Sequence, residues 1–209
     1  MLLIRGKKPW ELLLIQRPGG ADFAPGAYVF PGGTVHAEDF EWGDAIAAAA
    51  VRELFEEVGI LLARDGRRFA RDRDCDLVRA GVAGGSSFSE ALRSRGLQPD
   101  FERLVLLTRW VTPALLSRRY DARFYLARMP AGQTVHEQTD EVSDWLWVTP
   151  AGALRKPQIT LVYATRKVLE SVAGDQDVNE VLRRARGQVE VPIVEPRMVQ
   201  TASGWEIVH

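Results

Sequence analysis

The sequence predicts a mixed β-sheet with helices packed on its faces, an α/β (α+β) fold. Three observations carry this. Short apolar runs open the chain and recur between residues 104 and 148, one strongly amphipathic helix separates the two sets, and helical patterns follow them. A charged, irregular stretch over about 64–100 reads as a helical insertion. Residues 1–209 are thus expected to form a single domain, with C-terminal helices and an extended tail over about 157–209.

Met1–Arg5 and Glu11–Arg17 flank Gly6-Lys7-Lys8-Pro9 and read as two strands joined by a turn. Pro18 to Asp22 is a loop, and Ala27–Phe30 is a short strand stopped by Pro31-Gly32-Gly33. Asp44 is placed to cap a helix that runs to Val58, and Gly59 to end it at the C′ position. Within the insertion, Ser87 followed by Glu90 is a capping-box pattern that opens the second of two short helices. Leu104–Val111, Tyr120–Arg128 and Val142–Val148 have the β-branched, aromatic and Leu content of strands. Thr149–Leu154 reads as a short helix, and Ile159–Val172 and Val178–Arg186 as longer ones. The Val/Pro-rich tail from Val189 is extended, placed either to cover a sheet edge or to meet another subunit.

The composition is that of an ordinary globular chain, 46% apolar and 26% charged, with a formal net charge of −1. That balance gives no global electrostatic case for nucleic-acid or membrane partners, so an anionic small molecule would need local arginines or a metal. The single cysteine, Cys75, cannot form an intrachain disulfide and reads as a structural thiol, which fits a reducing, cytoplasmic setting. The opening apolar run breaks at Arg5-Gly6-Lys7-Lys8, far short of a membrane span, and no signal peptide is visible.

The informative segment is Arg52-Glu53-Leu54-Phe55-Glu56-Glu57-Val58-Gly59-Ile60. At about 100° per residue, Glu53, Glu56 and Glu57 share one helix face within about a 100° arc. Ala47, Val51, Leu54 and Val58 lie on the other side, a stripe that can dock on a sheet. Like charges at these spacings each cost about 0.2–0.5 kcal/mol, and acids in a last turn oppose the helix dipole. A solvated acidic face is the bland reading. A divalent cation with oxygen ligands, Mg²⁺ or Mn²⁺, is the reading that offsets the cost.

This segment resembles the Nudix signature: a glycine, a spacer, a glutamate, then Arg-Glu-hydrophobic-x-Glu-Glu-x-Gly-hydrophobic. Arg52, Glu53, Leu54, Glu56, Glu57, Gly59 and Ile60 match its second half. Gly33 stands as the signature glycine and Asp44 in the place of the upstream glutamate, across a spacer of ten residues, five more than usual. The resemblance implies a Nudix-type α/β/α sandwich with a mixed central sheet and a loop-helix-loop catalytic motif. It implies Mg²⁺ or Mn²⁺ held by Glu53, Glu56 and Glu57 with the Gly33 carbonyl, and Arg52 orienting the glutamates. Glu141 is the first choice for a further acidic ligand and Glu137 the second; for each, a solvated loop acid is an equal alternative. Glu53 is the first choice for the base that accepts a proton from the attacking water.

Upstream, Leu13-Leu14-Ile15-Gln16-Arg17 and Gly26 to Gly33 resemble the coenzyme A diphosphatase branch, with Asp22 where that branch carries a second arginine. The whole pattern is most similar to the subgroup of peroxisomal CoA diphosphatases and their bacterial relatives. Arg109 to Pro113 and Arg119 to Tyr125 resemble that subgroup's second half. CoA or acyl-CoA is thus the expected substrate, with Arg17, Arg118, Arg119 and Arg123 as candidate anion contacts. Tyr120, Phe124 and Trp110 are candidates for stacking on an adenine, although strand aromatics are more often core. The alternatives are ADP-ribose, another nucleoside diphosphate derivative or a nucleoside triphosphate as substrate, and a non-catalytic nucleotide sensor or protein-binding domain. Against the last stands the retention of all three signature-helix glutamates.

Overall fold

The computed structural model describes residues 1–66, 68–113, 119–137, 140–201 and 204–208. The chain opens with strands β1 (Leu2–Gly6), β2 (Trp10–Gln16) and β3 (Tyr28–Val29), followed by a 3-10 turn at Ala37–Trp42 and helix α1 (Ala45–Val58). The insertion then adds β4 (Ala63–Asp65), β5 (Arg68–Phe69), α2 (Asp72–Ala83), α3 (Phe88–Arg93) and β6 (Gln98–Pro99). Strands β7 (Val105–Val111), β8 (Asp121–Arg128) and β9 (Asp144–Val148) return to the sheet. Helices α4 (Pro150–Arg155), α5 (Tyr163–Val172) and α6 (Val178–Arg186) precede β10 (Ile193–Val194) and the hairpin β11 (Arg197–Thr201) and β12 (Gly204–Val208).

The main sheet runs β10-β7-β8-β1-β2-β3, with β9 also paired to β2. It is mixed: β1 is parallel to β8 and β10 is parallel to β7, while β2 pairs antiparallel with β1, β3 and β9. The run Leu12-Leu13-Leu14-Ile15 is fully apolar because both faces of β2 are covered. Leu13 and Ile15 pack with Val51, Leu54, Phe55 and Val58 of α1 and with residues of α2 and α3. Leu12 and Leu14 pack with Val168, Leu169 and Val172 of α5 and with Val181 and Leu182 of α6. Each such buried side chain contributes about 1.5–3 kcal/mol. The result is a three-layer α/β/α sandwich.

Local chemistry sets the helix limits. The Asp44 side chain accepts from Ile46 N and Ala47 N, and Gly59 closes α1 in the left-handed region at φ 71°. Ser87 and Glu90 form the capping box that opens α3, and Thr149 caps α4. Helix α5 begins at Tyr163, later than the sequence pattern suggests. Thr160 O accepts from Tyr28 N and Leu161 bridges Tyr28, so sheet pairing holds this segment extended. The insertion contains the two helices together with a small sheet ordered β5-β4-β6. The tail covers a sheet edge: Arg109 N donates to Pro192 O at 2.9 Å, and Ile193 and Val194 pair with Arg109 and Trp110 of β7. Cys75 is buried among the α1-side core, and burial pushes its thiol up to about 12, in keeping with a structural role. Among the described residues, no helix is long and apolar enough to cross a membrane.

Candidate active site

Strand β3 leads into Pro31-Gly32-Gly33, which brings the chain against the acidic face of α1. A side-chain carbon on Gly33 would stand 2.5 Å from the Glu53 carboxylate, so any larger residue there would displace that carboxylate. Gly32, at φ 150°, donates its N–H to Glu57 Oε2 at 2.7 Å. Glu53 and Glu57 are therefore buried, at 9% and 8% exposure, and do not face bulk water.

Arg52 lies fully buried behind them. Its Nη1 donates to Glu53 Oε1 at 2.9 Å and to Glu56 Oε2 at 2.6 Å, and its Nη2 donates to Thr34 O at 2.7 Å. Nε and Nη2 each donate to Asp39, at 3.1 Å, in a bidentate pair. Burial alone would lower the Arg52 pKa. The Asp39 hydrogen bonds and the Glu53 and Glu56 charges outweigh it and hold the guanidinium protonated. One cation thus serves Asp39, Glu53 and Glu56, while Glu57 has no direct ion pair with Arg52. Burial, helped by the neighbouring Glu53 and Glu141 charges and opposed by the Gly32 N–H bond and the Met1 ammonium, pushes Glu57 up to about 8. Burial also raises Glu56, although Arg52 opposes it.

Asp39 is the residue that sequence reasoning missed. It sits in the 3-10 turn, 1% exposed, and its Oδ2 also accepts from His36 N at 2.7 Å. Asp44, which had been placed as the upstream acid, is the N-cap of α1. The signal was present: counted forward from Gly33, Asp39 lies after the usual five-residue spacer, and the extra residues follow it, over 40–44.

The other candidates separate by place. Glu141 is exposed but near enough to Glu57 for its charge to act there. Glu137 is occupied, its Oε2 accepting from Trp145 Nε1 at 3.0 Å. Arg17 clips its own loop, with Nε donating to Phe23 O at 2.8 Å. Arg123 lies on the α1 side of β8, close enough to the Tyr125 hydroxyl to act on its ionisation, which Asp44 also influences. Arg119 is exposed, and Arg118 lies outside the described residues. Tyr120 and the aromatics Trp110 and Phe124 lie together elsewhere, in a cleft of about 720 Å³ that also includes Tyr163.

The acidic set is all oxygen, which suits a hard divalent cation. Two features of the chain fit such an ion: carboxylates in excess of the one guanidinium, and the upward shift of buried Glu57. As built, Glu53 and Glu56 turn to Arg52 and Glu57 to Gly32. Among the described residues, no three His, Cys, Asp or Glu side chains already converge as a metal cage.

A sheet between helical layers, with a glycine turn pressed on an acid-bearing helix, defines the class. The chain is similar to the crystal structure of a NUDIX hydrolase from Alicyclobacillus acidocaldarius, with TM-score 0.73 and 26% identity, covering 87% of this chain and 92% of that one. The chain belongs to the Nudix hydrolase family, and the matching family model is the NUDT19 Nudix domain, over residues 43–163. A Caenorhabditis elegans protein that bears the name nudix hydrolase 7 is 33% identical over 150 residues, 71% of this chain and 50% of that protein. The acyl-coenzyme A diphosphatase NUDT19 of Xenopus laevis is 25% identical, covering 69% of this chain and 54% of that protein. The chain spans about half the length of the curated relatives it matches.

Proposed function

We propose that the chain hydrolyses the diphosphate linkage of CoA or acyl-CoA, releasing 3′,5′-ADP and 4′-phosphopantetheine or its acyl form, with Mg²⁺ or Mn²⁺ as cofactor. The observation that carries this reading is the crowding of Glu53, Glu56 and Asp39 about one buried guanidinium, with buried Glu57 beside them and Gly33 against Glu53. Similarity to the acyl-coenzyme A diphosphatases supports the substrate class.

Glu53, Glu56 and Glu57, with Glu141 and the Gly33 carbonyl, are the groups that would hold the cation. Bound there, it would neutralise phosphate oxygens and make water easier to deprotonate. Arg52, anchored by Asp39 and Thr34, fixes the orientation of Glu53 and Glu56. Glu53 accepts the proton of the attacking water. Arg17, Arg119 and Arg123 are the proposed contacts for the anionic groups of the substrate.

The test is turnover of CoA, acyl-CoA, ADP-ribose and nucleoside triphosphates with Mg²⁺ or Mn²⁺, with products separated by chromatography. Release of 3′,5′-ADP from CoA supports the reading, and cleavage of ADP-ribose alone overturns the substrate choice. Binding of nucleotide without turnover of any substrate overturns the enzymatic reading. One observation weighs against CoA and keeps another nucleoside diphosphate derivative as the second reading: acidic Asp22 occupies the position where the CoA branch carries an arginine.

A further inference from the structure

Strand β8 presents two chemistries. Arg123 and Tyr125 face α1, with Tyr125 in the core on that side. Ala122 and Phe124 face the opposite layer, where they line the cleft of about 720 Å³ together with Trp110 and Val111 of β7. Tyr163 and Ala164 at the start of α5 form another wall. Such a volume lies within the range of small-molecule sites, about 300–1,000 Å³. The wall is aromatic and aliphatic, with Phe23 and Tyr120, 56% and 44% exposed, at its open side. Its only charged lining residue among those described is Asp22.

The cleft adjoins the acidic site through one strand. Phe124 meets Phe30 edge-to-face, with ring centroids 6.1 Å apart. Phe30 precedes Gly33 by three residues, a span of at most about 11 Å, and Gly33 touches the Glu53 carboxylate. The hydrogen-bonded pairing of β8 with β1 starts only at Leu126, so the segment that carries Arg123 and Phe124 pairs on one side alone, with β7.

We infer that this cleft binds the uncharged, apolar end of the diphosphate substrate, a fatty acyl thioester on its pantetheine arm, while the anionic end lies on the α1 side of the sheet. Resting on the diphosphatase reading above, the inference says which part of the substrate goes where. Charge selects the occupant: Asp22 disfavours a phosphorylated nucleoside, and among the described residues no arginine or lysine lines the cleft to receive one. Aromatic and aliphatic walls gain from burying methylenes.

The test separates binding from turnover. Dodecanoyl-pantetheine, which carries no phosphate, is titrated calorimetrically into the full chain and into the Ala122→Glu and Tyr120→Asp variants. Binding to the parent chain, weakened about tenfold or more in the variants, which is the worth of two buried methylenes, is the expected result. The Tyr120→Asp change lies at the exposed rim and keeps the test valid if Ala122→Glu fails to fold. Absence of binding, or equal binding to parent and variants, overturns the cleft assignment. In turnover, the ratio of kcat/KM for dodecanoyl-CoA over CoA should exceed one in the parent and fall in the variants. A flat ratio also overturns the assignment. Failure to hydrolyse any CoA compound, with pantetheine-thioester binding intact, overturns the diphosphatase reading instead.

Discussion

The last turn of α6 carries Arg183, Arg184 and Arg186, and its start carries Asp177 and Glu180, whereas the last turn of α1 carries Glu56 and Glu57 and no basic residue. Helix α6 complements its dipole at both ends; α1 opposes its own at the C-terminal end. Both helices bury an apolar face on the same sheet, so packing does not account for the difference. The dipole-favoured arrangement marks a helix shaped by stability. The opposed arrangement, with its acids partly buried, carries a cost that the proposed cation would offset.

Several changes would break or sharpen that contrast. The largest effect is expected at the acids: Glu53→Gln and Glu56→Gln should each lower kcat by about 10²–10⁴-fold, with circular dichroism unchanged. Near-normal turnover in both would remove the functional reading of α1. Next, Asp39→Ala removes one partner of a fully buried ion pair and should cost about 3–5 kcal/mol in urea unfolding. A loss below about 1 kcal/mol, the surface-pair range, would mean that Arg52 is held without it.

Saturating Mg²⁺ or Mn²⁺ should then raise stability by about 2.7 kcal/mol at a hundredfold excess over Kd. Thermal unfolding with and without the ion measures this, and an unchanged Tm counts against a cation at α1. Without metal, Glu57 has its pKa raised from 4.5 to about 8, so the folded state binds the extra proton between those values. Its contribution to stability should fall as pH rises across that window, with a limiting slope of about 1.4 kcal/mol per unit. Glu57→Gln should flatten that slope in urea melts taken from pH 5 to 8. The smallest effect belongs to α6: Arg183→Gln should cost about 0.3–1 kcal/mol and leave turnover untouched.

Much of this was legible in the chain itself. Asp44 as cap and Gly59 as stop follow from local backbone chemistry, and the apolar stripe of α1 from its helical period. Counting back from the helix puts the upstream signature acid at Asp44; counting forward from Gly33 reaches Asp39, and it is Asp39 that pairs with Arg52. Strands β4, β5 and β6 are two or three residues long, too short for alternation to register. The aromatics Trp110, Tyr120 and Phe124 were grouped as candidates, but their common face depends on how β8 pairs with β7, which is a tertiary property. The bridge of Leu161 to Tyr28 likewise overrides a helical pattern that begins at Ile159.

The short pairing of Ile193 and Val194 with β7 has a consequence for handling the protein. Stripping the chain after Gln188 by protease would leave the N–H of Arg109 and the hydroxyl of Thr108 without their shared acceptor, Pro192 O. An uncovered strand of that kind recruits strands from other molecules. A nicked preparation should therefore precipitate or self-associate before it loses its secondary structure.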